Sequence, residues 1–120
     1  MPSPLPASIA CVLDLEHLRR MTLDDQVLER EVLGMFLKQA GRLVDALAQT
    51  PAEASALAHT LKGSARAIGA LRVAEAAAAV EAAKRNSRDL AGPLGVLADA
   101  MAEAQGAIEA RLASPDPASS

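Results

Sequence analysis

The chain is predicted to be all-α, an antiparallel four-helix bundle preceded by a short additional helix. Three observations predict it. Alanine fills 28 of the 120 positions and, with leucine, favours helix, whereas one phenylalanine and no tyrosine or tryptophan leave a β-sheet without its usual packing residues. Apolar residues recur at steps of three and four along most of the chain. Capping residues stand where those periodic runs begin and end.

A short helix follows Asp14, with Leu15 and Leu18 as its apolar pair. Thr22, three residues before Asp25, forms a capping pattern that opens a long helix reaching about Gln49. Its apolar stripe is Leu28, Val32, Met35, Phe36, Ala40, Leu43 and Leu47, leaving Glu29, Arg30, Lys38, Arg42 and Asp45 for solvent. At 1.5 Å per residue, about 25 residues make roughly 38 Å of helix. The third helix has Thr50 as N-cap, Pro51 at its first position and Glu53 closing a capping box; it stops near Gly69, which is free to adopt positive φ.

A fourth helix runs from about Ala70 to Arg88 with Val73, Ala76, Ala77, Val80 and Ala83 on one side. It ends in cations, which suit a helix's negative end. The fifth begins after Asp89 or at Pro93, with a stripe of Leu94, Leu97, Met101, Ala104, Ile108 and Leu112. Residues 1–12 and 114–120 bury nothing and are read as flexible tails around one domain spanning 13–113. Small alanine side chains let the four long helices approach closely.

Composition narrows the function. A formal net charge of -3 offers no overall basic field for nucleic acid phosphates. The single cysteine, Cys11, excludes an internal disulfide and, with two histidines, argues against a zinc site; no metal ligand set is expected. No apolar run approaches the roughly 20 residues a membrane span needs. A soluble, cytoplasmic monomer is the expectation.

The third helix carries the chemistry. Projected at 100° per residue, Ala54, Leu57, Ala58, Leu61, Ala65 and Ile68 form its apolar sector, and His59 falls roughly 150° from the middle of it. An outward imidazole is thus flanked by Ser55 and Ala56 one turn earlier and by Lys62, Gly63 and Arg66 one to two turns later. Ala52, Ala56, Gly63 and Ala67 make one flank low. Gly63 is the misfit, since glycine inside a helix costs about 1 kcal/mol relative to alanine. Its missing side chain lets a partner or a phosphoryl group approach the ring; the competing reading is that it only lets a neighbouring helix approach. Between Glu53 and Glu75 no acid occurs, while Lys62, Arg66 and Arg72 do, which predicts a local positive surface. His17 lacks such neighbours and reads as an ordinary surface residue.

His59, Leu61, Lys62, Gly63, Ser64 and Ala65, followed by Ile68, Gly69 and Ala70, resemble the signature of histidine-containing phosphotransfer (HPt) domains. Meeting His-x-Leu-Lys-Gly-Ser by chance in so short a chain has odds on the order of 10⁻⁴ from average composition. The resemblance spans about Leu13 to Leu112 and implies a four-helix bundle whose histidine takes and gives a phosphoryl group. It implies His59 as phosphoacceptor, Lys62 as the cation near the phosphoryl oxygens, Gly63 as the position leaving them room, and Ser64 as a small polar support that leans toward the core. Ala52, Ser55, Ala56, Arg66 and Ala67 then surround the histidine as partner-docking residues, and Arg66, where many members have Asn, reports partner choice. Some relatives place an amide side chain of the following helix near the histidine; Glu81 is the counterpart here, a departure from the amide.

The resemblance also implies the partners: response-regulator receiver domains, which bring the aspartate and Mg²⁺, and a (hybrid) histidine kinase upstream. The domain itself would be a relay substrate with no cofactor of its own rather than an autonomous kinase. Two other readings compete with this one. The dimerisation helices of a histidine kinase usually follow their histidine with an acid and, shortly after, a proline; here Thr60 follows and no proline occurs until Pro93. A purely adaptor bundle, binding receivers without being phosphorylated, is the reading from another class, and the presence of both His59 and Lys62 argues against it.

Overall fold

A computed structural model of the chain describes residues 12–113. The C-terminal tail at 114–120, and the N-terminal tail apart from residue 12, with Cys11, lie outside the described residues. Among the described residues there are five α-helices and no strand: α1 (Leu15–Met21), α2 (Gln26–Gln49), α3 (Ala54–Ile68), α4 (Leu71–Arg85) and α5 (Ala91–Ala113). None is long and apolar enough to cross a membrane.

The first cap differs from expectation. Asp14 caps α1 by accepting from the amide of His17. Thr22 does not open α2: its hydroxyl donates to the Leu18 carbonyl at 2.8 Å, closing α1, and it is buried. Leu23 and Asp24 then turn through positive φ, and Asp25 becomes the N-cap, accepting from the amides of Val27 and Leu28. Thr50 also makes no side-chain cap bond, so the expected capping box with Glu53 is absent; Pro51–Glu53 form a 3-10 turn and α3 starts at Ala54.

Gly69 ends α3 as expected, at φ 85°. A Cβ there would lie 2.8 Å from the Asp14 carbonyl oxygen, so the glycine also seats the start of α1 against α3. The Asp14 amide donates to the Gly69 carbonyl at 2.8 Å, and the His17 ring Nε2 lies 3.1 Å from the Ala67 carbonyl. His17 is therefore half-buried and partnered rather than an ordinary surface residue. The α4 helix stops at Arg85, short of Arg88, and α5 starts at Ala91, between the two starts considered, where Asp89 accepts from the Ala91 amide.

Each long helix packs on the next, α2 on α3, α3 on α4 and α4 on α5, while α5 returns to α2 and α1 lies against α3. Leu18, Leu33, Leu47, Leu61, Val73, Val80, Leu97 and Ile108 fill the middle. The expected sides of α4 and α5 are buried, with Leu94 and Leu112 packed at the edges. On α2 the expected stripe is displaced by one residue at its start. Glu29, Leu33, Phe36, Ala40 and Leu47 are buried, whereas Leu28 and Met35 are exposed. Glu29, expected in solvent, instead turns its carboxylate to α5, where Nε and Nη2 of Arg111 donate to it at 2.8 and 3.0 Å.

Candidate functional site

His59 stands in the middle of α3, on the side away from Ala54, Ala58, Leu61, Ala65 and Ile68, all of which are buried. Its side chain is 68% exposed. The Cβ direction on consecutive helical turns brings Lys62 beside it. Across the α3–α4 contact stands Glu81, whose Oε2 lies 3.1 Å from Nδ1 of His59 and whose Oε1 accepts from Nζ of Lys62 at 2.7 Å. One carboxylate thus joins both residues.

The bridge decides which ring nitrogen is reactive. An ionised carboxylate only accepts hydrogen bonds, so Nδ1 carries a proton and, in the neutral ring, Nε2 keeps its lone pair. Among the described residues Nε2 has no partner, and an exposed ring leaves it open to attack an incoming electrophile. The hydrogen bond from Lys62 holds the Glu81 carboxyl below the usual carboxylate range; partial burial opposes this and the His59 hydrogen bond adds to it. Ionised Glu81 is therefore the form that orients the ring at neutral pH.

Gly63 lies one turn beyond His59, and a Cβ added there would meet nothing within 4 Å. The reading in which it lets a neighbouring helix approach is not supported, because Gly63 is exposed and no other helix comes within 4 Å of that Cβ. Open space alone does not single it out, since Gly34, Gly41, Gly92, Gly95 and Gly106 are equally unhindered; its place beside the imidazole does. Ser55, Ala56, Arg66 and Ala67 are exposed around the ring, and Ala52 is exposed on the 3-10 turn that precedes α3.

Two expectations are corrected. Ser64 does not stand at the imidazole: it lies roughly 140° around α3 from His59, and its Oγ donates to Oε1 of Gln39 on α2 at 2.9 Å. Nor is the Lys62–Arg66–Arg72 surface broadly positive. Lys62 is bound to Glu81 and Arg72 to Glu103 at 3.3 Å, so only Arg66 of the three lacks an ion pair among the described residues. A window along the sequence sees no acid there because both acids arrive from other helices. Glu81 occupies the counterpart position anticipated for it, but the carboxylate engages the lysine as well as the ring. Among the described residues, no three His, Cys, Asp or Glu are grouped to hold a metal ion.

No curated protein and no solved structure matches the chain. A family model described as "Hpt domain" matches residues 31–112, from the second turn of α2 to the end of α5, and takes in the whole of α3 and α4 with the bridged histidine. That match covers more than half of the chain, and the chain belongs to the Hpt domain family.

Proposed function

We propose that this protein is a phosphorelay intermediate that takes a phosphoryl group from a receiver-domain aspartate onto His59 and passes it to another. The observation that carries the reading is the exposed His59 ring, held through Nδ1 by Glu81 with Nε2 free. In the forward step the Nε2 lone pair attacks phosphorus in line, an N–P bond forms, and the P–O bond to the aspartate breaks with its electrons on the leaving carboxylate. The Nδ1 proton stays in place, shared with Glu81, so that the ring leaves as neutral imidazole when the step reverses.

The phosphoryl oxygens need positive charge, and two sources are available. Mg²⁺ comes with the receiver, and the Lys62 ammonium is one side-chain rotation from exchanging Glu81 for a phosphoryl oxygen. Gly63 leaves the space for that group. The four long helices, read as an antiparallel bundle, supply a rigid platform, and a monomer suffices because the reactive face belongs to one chain. A histidine kinase, simple or hybrid, loads the relay upstream, and the chain itself performs no kinase reaction.

The test is transfer from a phosphorylated receiver with Mg²⁺. The chain is expected to acquire label that is stable in base and lost in acid, as a phosphoramidate is, and H59Q to acquire none. Label retained by H59Q would move the acceptor elsewhere. Receiver binding without any label would favour the adaptor reading instead.

A further inference from the structure

We infer that the corner where α1 turns into α2 is a self-association surface, on which a second copy of this chain docks across a two-fold axis. The observation behind it is a leucine where the backbone favours glycine. α1 ends in a Schellman turn: the Asp24 amide donates to the Arg19 carbonyl at 2.9 Å and the Leu23 amide to the Arg20 carbonyl at 3.3 Å. α3 and α4 end with the same pair of bonds, donated by Ala70 and Gly69 and by Arg88 and Ser87. The left-handed residue of the turn is Gly69 after α3 and Ser87 after α4, but Leu23, at φ 54°, after α1. A bulky side chain is the costly choice for that backbone.

The bundle gains little from Leu23 in return. Its side chain serves no core contact, because the residue is 84% exposed. Of the seven large apolar residues exposed among the described ones, four stand at 21–28, Leu23 with Met21, Val27 and Leu28, which concentrates bare apolar surface on this corner. Strain and exposure at one residue point to a contact outside the chain.

Charge identifies the occupant. Arg19 and Arg20 stand in the last turn of α1, Asp24 and Glu31 flank Val27 on the α2 side, and none of the four forms an ion pair among the described residues. Asp25 is committed as the cap of α2 and Arg30 to the Leu112 carbonyl. A partner of one sign is repelled by half of this surface, and an anionic lipid surface also by the chain's net charge of -3. A second copy turned by a two-fold axis presents the opposite order: the arginines of each α1 face the acids of the other α2, and the apolar residues meet at the axis. Four apolar residues and their charged neighbours fall short of the roughly 20–30 residues a side of a standard interface, so the dimer is weak and the expected monomer is its dilute form. His59 lies outside the patch, on α3, and the inference stands apart from the relay reading.

Sedimentation velocity on the full chain, from micromolar to millimolar concentration, tests it. Wild type is expected to pass from monomer to dimer with a dissociation constant of roughly 0.1 mM. No dimer at millimolar concentration overturns the proposal, as does growth beyond two, which a closed two-fold contact forbids. L23G removes both the side chain and the left-handed strain. It should weaken association at least ten-fold, yet melt no lower than wild type at a concentration where both are monomeric. V27E, an acid in the first turn of α2 where a helix favours one, should weaken association as much. Wild-type association in both variants places the contact elsewhere and overturns the proposal; a lower melting temperature for dilute L23G gives Leu23 a role inside the fold and overturns it too. R19E/R20E and D24R/E31R should each dimerise poorly alone, whereas an equimolar mixture should recover wild-type association, since opposite charges then meet in both halves of the contact. No recovery in the mixture overturns the two-fold arrangement. Binding to anionic phosphatidylserine vesicles that L23G abolishes, in a chain that stays monomeric, overturns the second copy in favour of a lipid surface.

Discussion

Glu81 on α4 holds Nδ1 of His59 at 3.1 Å, so the ring carried by α3 is aimed by a different helix. Without that acceptor an exposed imidazole rotates freely and divides between its two tautomers. Replacing the carboxylate therefore separates geometry from charge. E81Q keeps a carbonyl oxygen that accepts from Nδ1–H and is expected to retain transfer within about three-fold. E81A loses the acceptor and should transfer roughly ten-fold more slowly, the scale seen when a residue that orients a ligating or reacting histidine is removed. Nitrogen-detected NMR of the ring gives the independent readout: predominantly protonated Nδ1 in wild type and E81Q, a mixture in E81A. Equal tautomer populations in all three would remove the orienting role.

The same carboxylate predicts a dependence of stability on pH. Lys62 chiefly, with His59, holds the Glu81 carboxyl below its ordinary value of 4.5, against the effect of burial. A carboxyl lowered in the folded state contributes stability that is fully present above its unfolded pKa and is lost as the pH falls through the folded value. Wild type should therefore melt above E81Q at pH 7, by no more than about 1 kcal/mol for a pair this close to solvent. The gap should close as the pH falls below the ordinary carboxyl value of 4.5 and through the lowered folded value. Thermal melts at several pH values check it, and a gap that widens in acid would reverse the assignment.

What was legible in the sequence followed from local rules. The outward projection of His59 needed only the 100° step and the identity of the apolar residues around it. Gly69 as the stop of α3 needed only the preference of a left-handed cap for glycine. What was not legible arrived from another helix. Glu29 read as solvent because it is charged, and nothing nearby in sequence announces Arg111, 82 residues away. The lean of Ser64 toward the core was legible from helical projection, but its partner Gln39, 25 residues away on α2, was not. Thr22 offered a good cap sequence, but its hydroxyl was already committed to α1.

The Glu29–Arg111 pair predicts a localised loss of stability. Glu29 is 7% exposed and accepts from two guanidinium nitrogens, tying the start of α2 to the end of α5, where Arg30 also donates to the Leu112 carbonyl. E29A leaves a partly buried guanidinium without its partner and should cost about 1–3 kcal/mol. R111K keeps the charge but loses the fork, and should recover only part of the difference between R111A and wild type. Denaturant melts supply the numbers. Hydrogen exchange should place the loosening at the ends of α2 and α5, leaving α3 and α4 protected; uniform loosening would mean that the pair is no local clamp.

Gly63 offers the sharpest separation of stability from function. A methyl added there meets nothing within 4 Å beyond the adjacent backbone of its own helix, and alanine is favoured over glycine inside a helix by about 1 kcal/mol. G63A should therefore raise the melting temperature by several degrees, since about 1 kcal/mol shifts a domain near this size by roughly 4–8 °C. G63L adds bulk in the same open space and should fold at least as well as wild type. If the space beside His59 serves the incoming phosphoryl group and its donor, transfer should fall in the order wild type, G63A, G63L, with the leucine variant at least ten-fold slower. Both variants should still bind phosphate-free receivers. Full transfer by G63L would show that nothing approaches the ring from that side, and the helix would then be carrying a glycine it does not need.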